Sequence, residues 1–156
     1  MDKHVVILQR NINPINNISM KILSLIIKQA YFDAILRREK TQEFREVKPT
    51  TIKKLLQLDE EGFEVIDEHG NSQPIQYDAI RFYVGYNKDR DSALVEVKDA
   101  HCEIFVDEND EIIETEVFNT KTGKVEYWVA QQVVYDLGKV IEVSSTNLPF
   151  RNIFNK

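Results

Sequence analysis

The chain has 156 residues and a formal net charge of −6; 42% of its residues are hydrophobic and 29% are charged. These values are typical of a soluble protein with one core, and the acidic balance excludes indiscriminate binding to phosphate backbones. No apolar run approaches the roughly 20 residues that span a bilayer, and the N-terminal run is too short for a secretory segment. The lone Cys102 excludes an internal disulfide. We therefore expect a cytoplasmic protein.

The ends of the chain read as additions to one domain. Residues 1–19 are rich in turn-forming side chains and predict an N-terminal extension, in which residues 5–8 form either an edge strand or part of a disordered arm. Residues 20–144 predict the domain itself. Residues 145–156 predict a tail, and we expect its two phenylalanines to pin it to the domain.

Helical and extended patterns alternate in the first third of the domain. The apolar, β-branched residues 21–27 predict a central strand. Residues 29–38 predict a short helix that has Tyr31 in its apolar face. Residues 41–47 predict a strand, and Pro49 opens a second short helix with two exposed lysines.

Strand patterns dominate the remainder of the chain. The predicted strands are 63–66, 79–84, 93–97, 101–106, 112–118, 125–135 and 140–143. Short turns separate them, among them 107–110 and 120–124, and residues 137–139 lead into the last strand. Two early helices followed by about seven strands predict an α+β protein built on a mixed β-barrel.

Charge is distributed unevenly along the sequence. Residues 37–54 contain seven Lys or Arg and three Asp or Glu, a local balance of +4. Residues 100–120 contain seven acids and no Lys or Arg. A basic corner and an acidic hairpin of this kind are compatible with binding a small nucleic acid, although solvated surfaces also show such patterns.

The most informative segment is the corner between the first helix and the strand after it. Lys40 lies in the turn, and Glu43 and Arg45 flank Phe44 in the strand. Because side chains alternate across a strand, we expect Phe44 to point inward and its two charged neighbours to point the other way. A cation, a carboxylate and a guanidinium at one corner form a candidate polar site.

This corner resembles the central motif of the ASCH domain, a PUA-like family of compact β-barrels associated with RNA. The family pattern is Gly-x-Lys-x-x-Glu-x-Arg after a short helix. Lys40, Glu43 and Arg45 match it, and Arg38 replaces the glycine. Further similar blocks are 21–25, 46–49, 80–86 and 137–141. Because glycine often provides a positive φ, we expect Arg38 to lengthen the helix or to change the turn.

The resemblance implies a cleft beside the helix and the strand that holds RNA, a nucleotide or a modified nucleoside. No cofactor is expected, and the three histidines, which are far apart in sequence, predict no metal site. The predicted ligand-binding residues are Arg38, Lys40, Glu43, Arg45, Tyr83 and Tyr86. The lysine and the arginines would bind phosphate, the carboxylate would accept from a base amino group, and the tyrosines would stack on a base. A salt-bridge network that only fixes the corner is the structural alternative.

Enzymatic alternatives also follow from the resemblance. Some small ASCH proteins hydrolyse the amide of acetylated cytidine with a lysine, a threonine and a glutamate. Lys40 matches the lysine, but Glu43 stands where the threonine is expected. Thr41 is expected to face differently or to sit in the turn, and Glu96 either reaches the cleft or faces water. A ribonuclease that uses Lys40 and Glu43 as acid and base is a further alternative.

A non-enzymatic alternative is a protein-interaction adaptor that binds through the acidic hairpin at residues 107–116.

Overall fold

The computed structural model describes the backbone of residues 4–7 and 19–145, and the side chains of residues 19–145. Within these residues the chain is mostly β with two short helices, so it is an α+β protein as predicted. No helix in the described part is long and apolar enough to cross a membrane. The elements are β1 (His4–Ile7), β2 (Ile22–Ile27), α1 (Gln29–Leu36), β3 (Gln42–Glu46), α2 (Ile52–Leu55), β4 (Ala79–Val84), β5 (Ser92–Ile104), β6 (Glu114–Asn119), β7 (Lys124–Val129) and β8 (Gln131–Ser145).

Six strands form one mixed sheet. Five of them pair in the order β1-β8-β5-β4-β2, and β3 pairs with β8 off this path. β2 and β4 are parallel, whereas β1–β8 and β4–β5 are antiparallel. β1 resolves the open question for residues 5–7 in favour of an edge strand, and residue 8 lies outside the described residues. Among the described residues no pairing joins β1 to β2, so the strand pairings do not close into a barrel.

β2 occupies the other edge of this sheet, and the prediction of a central strand is wrong. Leu23, Leu25 and Ile27 are buried, whereas Ile22 and Ile26 on the opposite face are more than one third exposed. Successive side chains of a strand point to opposite faces. An unbroken apolar run therefore does not reveal that only one of its two faces is covered.

Contacts divide the chain into two compact units. The first comprises Met1–Glu43, Gln76–Asp99 and Asp136–Lys156, and the second comprises Phe44–Ile75 and Ala100–Tyr135. In the first unit α1 buries Phe32, Ile35 and Leu36 close to β4. Tyr31, predicted on the apolar face, is instead 52% exposed. The buried face of the helix therefore includes fewer of its apolar residues than the sequence indicates.

Two strands are longer than predicted. β5 spans 13 residues; it includes the segment predicted at 93–97 and joins it to residues 101–104 of the segment predicted at 101–106. β8 spans 15 residues and passes through Gly138, where a break was predicted. A glycine weakens a strand without interrupting its hydrogen-bond ladder, since it retains its backbone N–H and C=O groups.

The second unit contains turns and short bridges where residues 63–66 were predicted to form a strand. Glu64 and Ile66 make only isolated bridges, to Leu58 and Ser72. Three similar turns are capped by Asp59, Asp67 and Asp107, each of which accepts backbone N–H bonds from the residues two and four positions later. These bonds, chiefly that from Asn71, hold the pKa of the Asp67 carboxyl below its ordinary value.

The hairpin predicted around residues 120–124 is present. β6 and β7 pair antiparallel, with Phe118 opposite Val125 and Glu116 opposite Tyr127. Phe118, Val125 and Tyr127 are all more than half exposed. Apolar side chains therefore cover part of one face of this two-stranded sheet.

Candidate functional site

The turn after α1 is a Schellman motif, in which a residue with positive φ ends the helix. The Glu39 N–H donates to the Ala34 carbonyl over 2.9 Å, and the Arg38 N–H donates to the Ile35 carbonyl over 3.0 Å. Lys40 also donates its N–H to Ala34, over 3.1 Å. These bonds satisfy the last carbonyls of the helix and fix the path of the chain into β3.

Arg38 is the residue with positive φ, at 60°. The expectation that an arginine here would lengthen the helix is wrong, because α1 ends at Leu36 and Arg38 itself has the positive φ that a glycine would supply. Arg38 adopts the left-handed conformation that glycine accepts without penalty and that costs other residues roughly 1–2 kcal/mol. The backbone thus follows a glycine-like turn while presenting a cationic side chain.

The inward and outward faces of β3 are the reverse of those predicted. Glu43 is 7% exposed, whereas Phe44 is 44% exposed. Arg45, the second neighbour of Glu43, is intermediate. The orientation of a strand follows its register, and β3 takes its register from pairing with β8 rather than from its one aromatic residue.

A cation compensates the buried carboxylate. The Lys40 Nζ lies 3.9 Å from the Glu43 Oε2, and both side chains are largely shielded, with exposed fractions of 21% and 9%. The same ammonium lies 5.5 Å from the centre of the Tyr31 ring, which is within cation–π range. The corner therefore contains a shielded ion pair with a half-exposed aromatic ring beside it.

A cleft of about 300 Å³ opens in the first unit next to this corner. Its lining is Ile35, Arg38, Lys40, Thr41, Glu96, Lys98, Leu137, Gly138 and Lys139. Four of these side chains are cationic and only Glu96 is anionic, so the lining carries +3 in a chain of net charge −6. A concave site with this balance favours anionic ligands.

Hydrogen bonds attach the turn to the strand on which part of the cleft is built. The Leu137 N–H donates to the Thr41 carbonyl over 2.9 Å. The Gln42 side-chain amide donates to the Asp136 carboxylate over 2.7 Å. Both bonds hold the residues around Lys40 against β8. As a result, Lys40 and Lys139 line the same cleft.

Gly138 provides the room for two side chains of the cleft. A Cβ at this position would overlap the Glu96 carboxylate and would lie 3.0 Å from the Lys98 Cγ. Its φ lies outside the left-handed region. Gly138 is therefore needed for the close approach of β5 side chains and not for an unusual backbone conformation.

The structure brings only part of the predicted site together. Arg38 and Lys40 line the cleft, and Glu43 pairs with Lys40 without lining it. Arg45 belongs to the second unit. Neither predicted tyrosine is part of the lining: the Tyr83 ring lies 4.0 Å from the Arg90 guanidinium, and Tyr86 is 84% exposed.

Four polar residues of the cleft lining are not among the predicted ligand-binding residues: Thr41, Glu96, Lys98 and Lys139. Thr41, expected either to face differently or to sit in the turn, lines the cleft. Glu96 lines it as well, which is one of the two positions expected for it. Lys98 follows Glu96 by two residues, so strand alternation places both on one face. Lys139 offers no such local signal, because its position depends on β8 continuing past Gly138.

A larger depression of about 690 Å³ lies elsewhere in the first unit. Its charged lining is balanced, with Lys88 and Arg90 against Asp89 and Asp91. The Ser145 hydroxyl donates to Asp91 over 2.9 Å, which ties up one of these acids. This depression has no preference for one sign of charge, and the cleft beside Lys40 is the stronger candidate site.

A scan of protein-family models and searches among curated proteins and solved structures find no match to this chain. Its relation to the ASCH family and its function are therefore proposals that depend on the motif and the cleft.

Proposed function

We propose that the chain is an ASCH-type protein with a PUA-like fold, and that it binds RNA or a nucleotide in the cleft beside Lys40. The observation that carries this proposal is the cleft lining, in which four cations and one carboxylate surround about 300 Å³. The glycine-like turn at Arg38 supports the family assignment, since the substitution in the motif leaves the backbone conformation that glycine favours.

Each side chain has a role that follows from its chemistry. Lys40, Lys98 and Lys139 attract phosphate as point charges, and Arg38 offers a planar fork for bidentate hydrogen bonding. Glu96 accepts a hydrogen bond from a base amino group. Tyr31, half exposed beside Lys40, provides a ring on which an unpaired base stacks.

The test is fluorescence anisotropy with a labelled single-stranded RNA tetranucleotide at increasing salt. We expect measurable binding that weakens with salt, because phosphate contacts release counterions. Lys40→Ala should weaken binding about tenfold and should lower the steepness of the salt dependence by roughly 0.7 for one lost contact on a single strand.

Lys28→Ala is the matched control, since this lysine is exposed and does not line the cleft. The control should bind as tightly as the parent protein. Equal loss in both variants would show that binding follows net charge alone, and the proposed cleft would then be rejected.

A second candidate function is hydrolysis of an acetylated cytidine. The observation that favours it is that Lys40, Thr41 and Glu96 all line the same cleft, which supplies a hydroxyl and a carboxylate near the lysine. In this reaction water adds to the amide carbonyl, the C–N bond breaks, acetate is released and the cytidine nitrogen gains a proton. The position of the threonine differs from that in the ASCH hydrolases. Thr41 lies one position after Lys40, whereas those proteins have their threonine at the position of Glu43.

Acetate release from N4-acetylcytidine distinguishes this candidate from a binding module. A hydrolase should lose its activity in Lys40→Ala and in Thr41→Val, while Lys28→Ala should retain it. Binding of cytidine compounds without any acetate release would exclude the hydrolase.

A further inference from the structure

The charge and size of the cleft restrict the ligand more narrowly than the proposed function does. About 300 Å³ is at the lower end of the range for small-molecule sites. A space of that size accommodates one nucleotide rather than several consecutive nucleotides of an RNA strand. The charges of the lining must therefore be balanced by the phosphate of a single nucleotide.

The lining carries +3, and +2 remains once the Glu43 carboxylate that pairs with Lys40 is counted; both values exceed the single negative charge of an internal phosphodiester. A phosphodiester carries one negative charge, whereas a phosphate monoester carries about −1.5 to −2 at neutral pH, since its second pKa is near 6. A neutral nucleoside offers none. Of the three, the monoester is the best electrostatic complement to four cations and one carboxylate.

The positions of the charges leave room for a base as well as a phosphate. Lys98 and Lys139 come from β5 and β8 beside Gly138, and Arg38 and Lys40 come from the turn after α1. Glu96, the one carboxylate, approaches Gly138 closely and repels phosphate. It is therefore suited to accept a hydrogen bond from an amino-bearing base while the cations hold the phosphate.

We propose that the cleft selects a nucleotide that ends in a phosphate monoester and carries an amino-bearing base, in preference to a nucleoside or an internal phosphodiester. This inference rests on the proposed function, that RNA or a nucleotide binds in the cleft. A free nucleoside monophosphate and the phosphorylated end of an RNA both present this chemistry.

The experiment compares three probes by isothermal titration calorimetry: CMP, cytidine and the methyl diester of CMP. We expect CMP to bind at least tenfold more tightly than the other two at pH 7.5. Its advantage over the diester should shrink as the pH falls from 7.5 to 5.5, because the monoester loses its second charge near pH 6.

Variants locate the selectivity in the cleft. Lys98→Ala and Lys139→Ala should each reduce the preference for CMP over the diester about threefold or more, and Lys28→Ala should leave it unchanged. Circular dichroism and thermal unfolding check that each variant is folded. Equal loss of preference in Lys28→Ala would overturn the assignment to the cleft.

Oligonucleotides separate the two sources of the monoester. An RNA tetranucleotide with a 5′-phosphate that binds like CMP, while its 5′-hydroxyl counterpart binds at least tenfold more weakly, would identify an RNA end. Binding of CMP alone would identify a free nucleotide. Both results support the proposal.

Two outcomes distinguish the failure of this inference from the failure of the proposed function. Equal affinity for CMP, the diester and both tetranucleotides would overturn the selectivity while nucleotide binding remained established. Absence of binding for every probe would overturn the proposed function and the inference with it.

Discussion

Arg38 combines a strained backbone conformation with a cationic side chain at the cleft. Its φ of 60° is one of two positive values among the described non-glycine residues. Strain of this kind persists only where the surroundings enforce it, and the two hydrogen bonds of the Schellman motif do so here. The conformation and the charge can be separated by substitution.

Arg38→Gly should raise the free energy of unfolding by up to about 1 kcal/mol, because glycine adopts the left-handed conformation without the steric penalty. The same change removes a cation from the cleft and should weaken CMP binding several-fold. Arg38→Ala is the matched control: it removes the cation but keeps the strain, so its binding should fall without any gain in stability. Urea denaturation and calorimetry measure the two effects, and a stabilised Arg38→Ala would contradict the account of strain.

Cys102 is half-buried in the second unit. Burial, together with a smaller contribution from the negative charge of Glu64, raises the pKa of its thiol to about 11. Since the thiolate is the reactive form, little of it exists near neutral pH. The cysteine is therefore expected to be inert in the folded protein.

Alkylation by iodoacetamide at pH 8 should be about 100-fold slower in the folded protein than in the urea-unfolded chain, where the thiol pKa returns to about 8.5. The folded-state rate should continue to rise with pH up to about 11. Mass spectrometry of the labelled fraction with time provides the rates. Similar rates in the folded and unfolded chains would show that the thiol is not shielded.

At the scale of an element, β8 contributes more residues to the cleft lining than any other helix or strand, and the strand continues through these residues without a break. It carries Leu137, Gly138 and Lys139 into the lining, and its pairing with β3 accompanies the burial of Glu43. Gly138 is the position on β8 where a single methyl group would alter the site. The added atom would meet Glu96 and Lys98, which come from β5.

Gly138→Ala should weaken CMP binding about tenfold, because Glu96 and Lys98 must move from their positions to admit the methyl group. Stability should change by less than about 1 kcal/mol, since both side chains are flexible and alanine removes the entropic penalty of a glycine within a strand. Calorimetry and urea denaturation test the two parts. Unchanged CMP affinity would show that Glu96 and Lys98 do not determine binding.

At the scale of the whole molecule, the cleft is a cationic site on an anionic protein. The net charge of the chain is −6 and the cleft lining carries +3, so the remaining residues together carry −9. Charges separated by more than about 10 Å are largely screened at 0.1 M salt, so attraction is confined to the neighbourhood of the cleft. We expect RNA that extends beyond the cleft to meet no general attraction.

Affinity should therefore depend little on RNA length. A 20-nucleotide single strand should bind within about threefold of a tetranucleotide with the same end, because additional phosphates gain no counterion release without cationic partners. Anisotropy competition at 0.1 M salt makes the comparison. Tightening by 100-fold with length would show that a further surface of the protein binds RNA.

Local sequence was sufficient for the elements whose structure depends on nearby residues. Residues 79–84 were predicted as a strand, and β4 has those bounds. The helix at residues 29–38 and the hairpin at 120–124 were also predicted, with an error of two residues at the end of the helix. Periodicity and turn-forming residues specify such features because they depend on interactions a few residues apart.

Tertiary pairing decided the arrangement of the site. Nothing near Phe44 indicates that it faces outward, since that orientation comes from the pairing of β3 with β8. Lys40, Glu96 and Lys139 lie more than forty residues apart in sequence and line one cleft only after the strands have paired. The sequence alone determined an α+β chain with a charged corner after its first helix. The cations that complete the cleft were placed by the sheet, because contacts between distant strands depend on register and not on local preference.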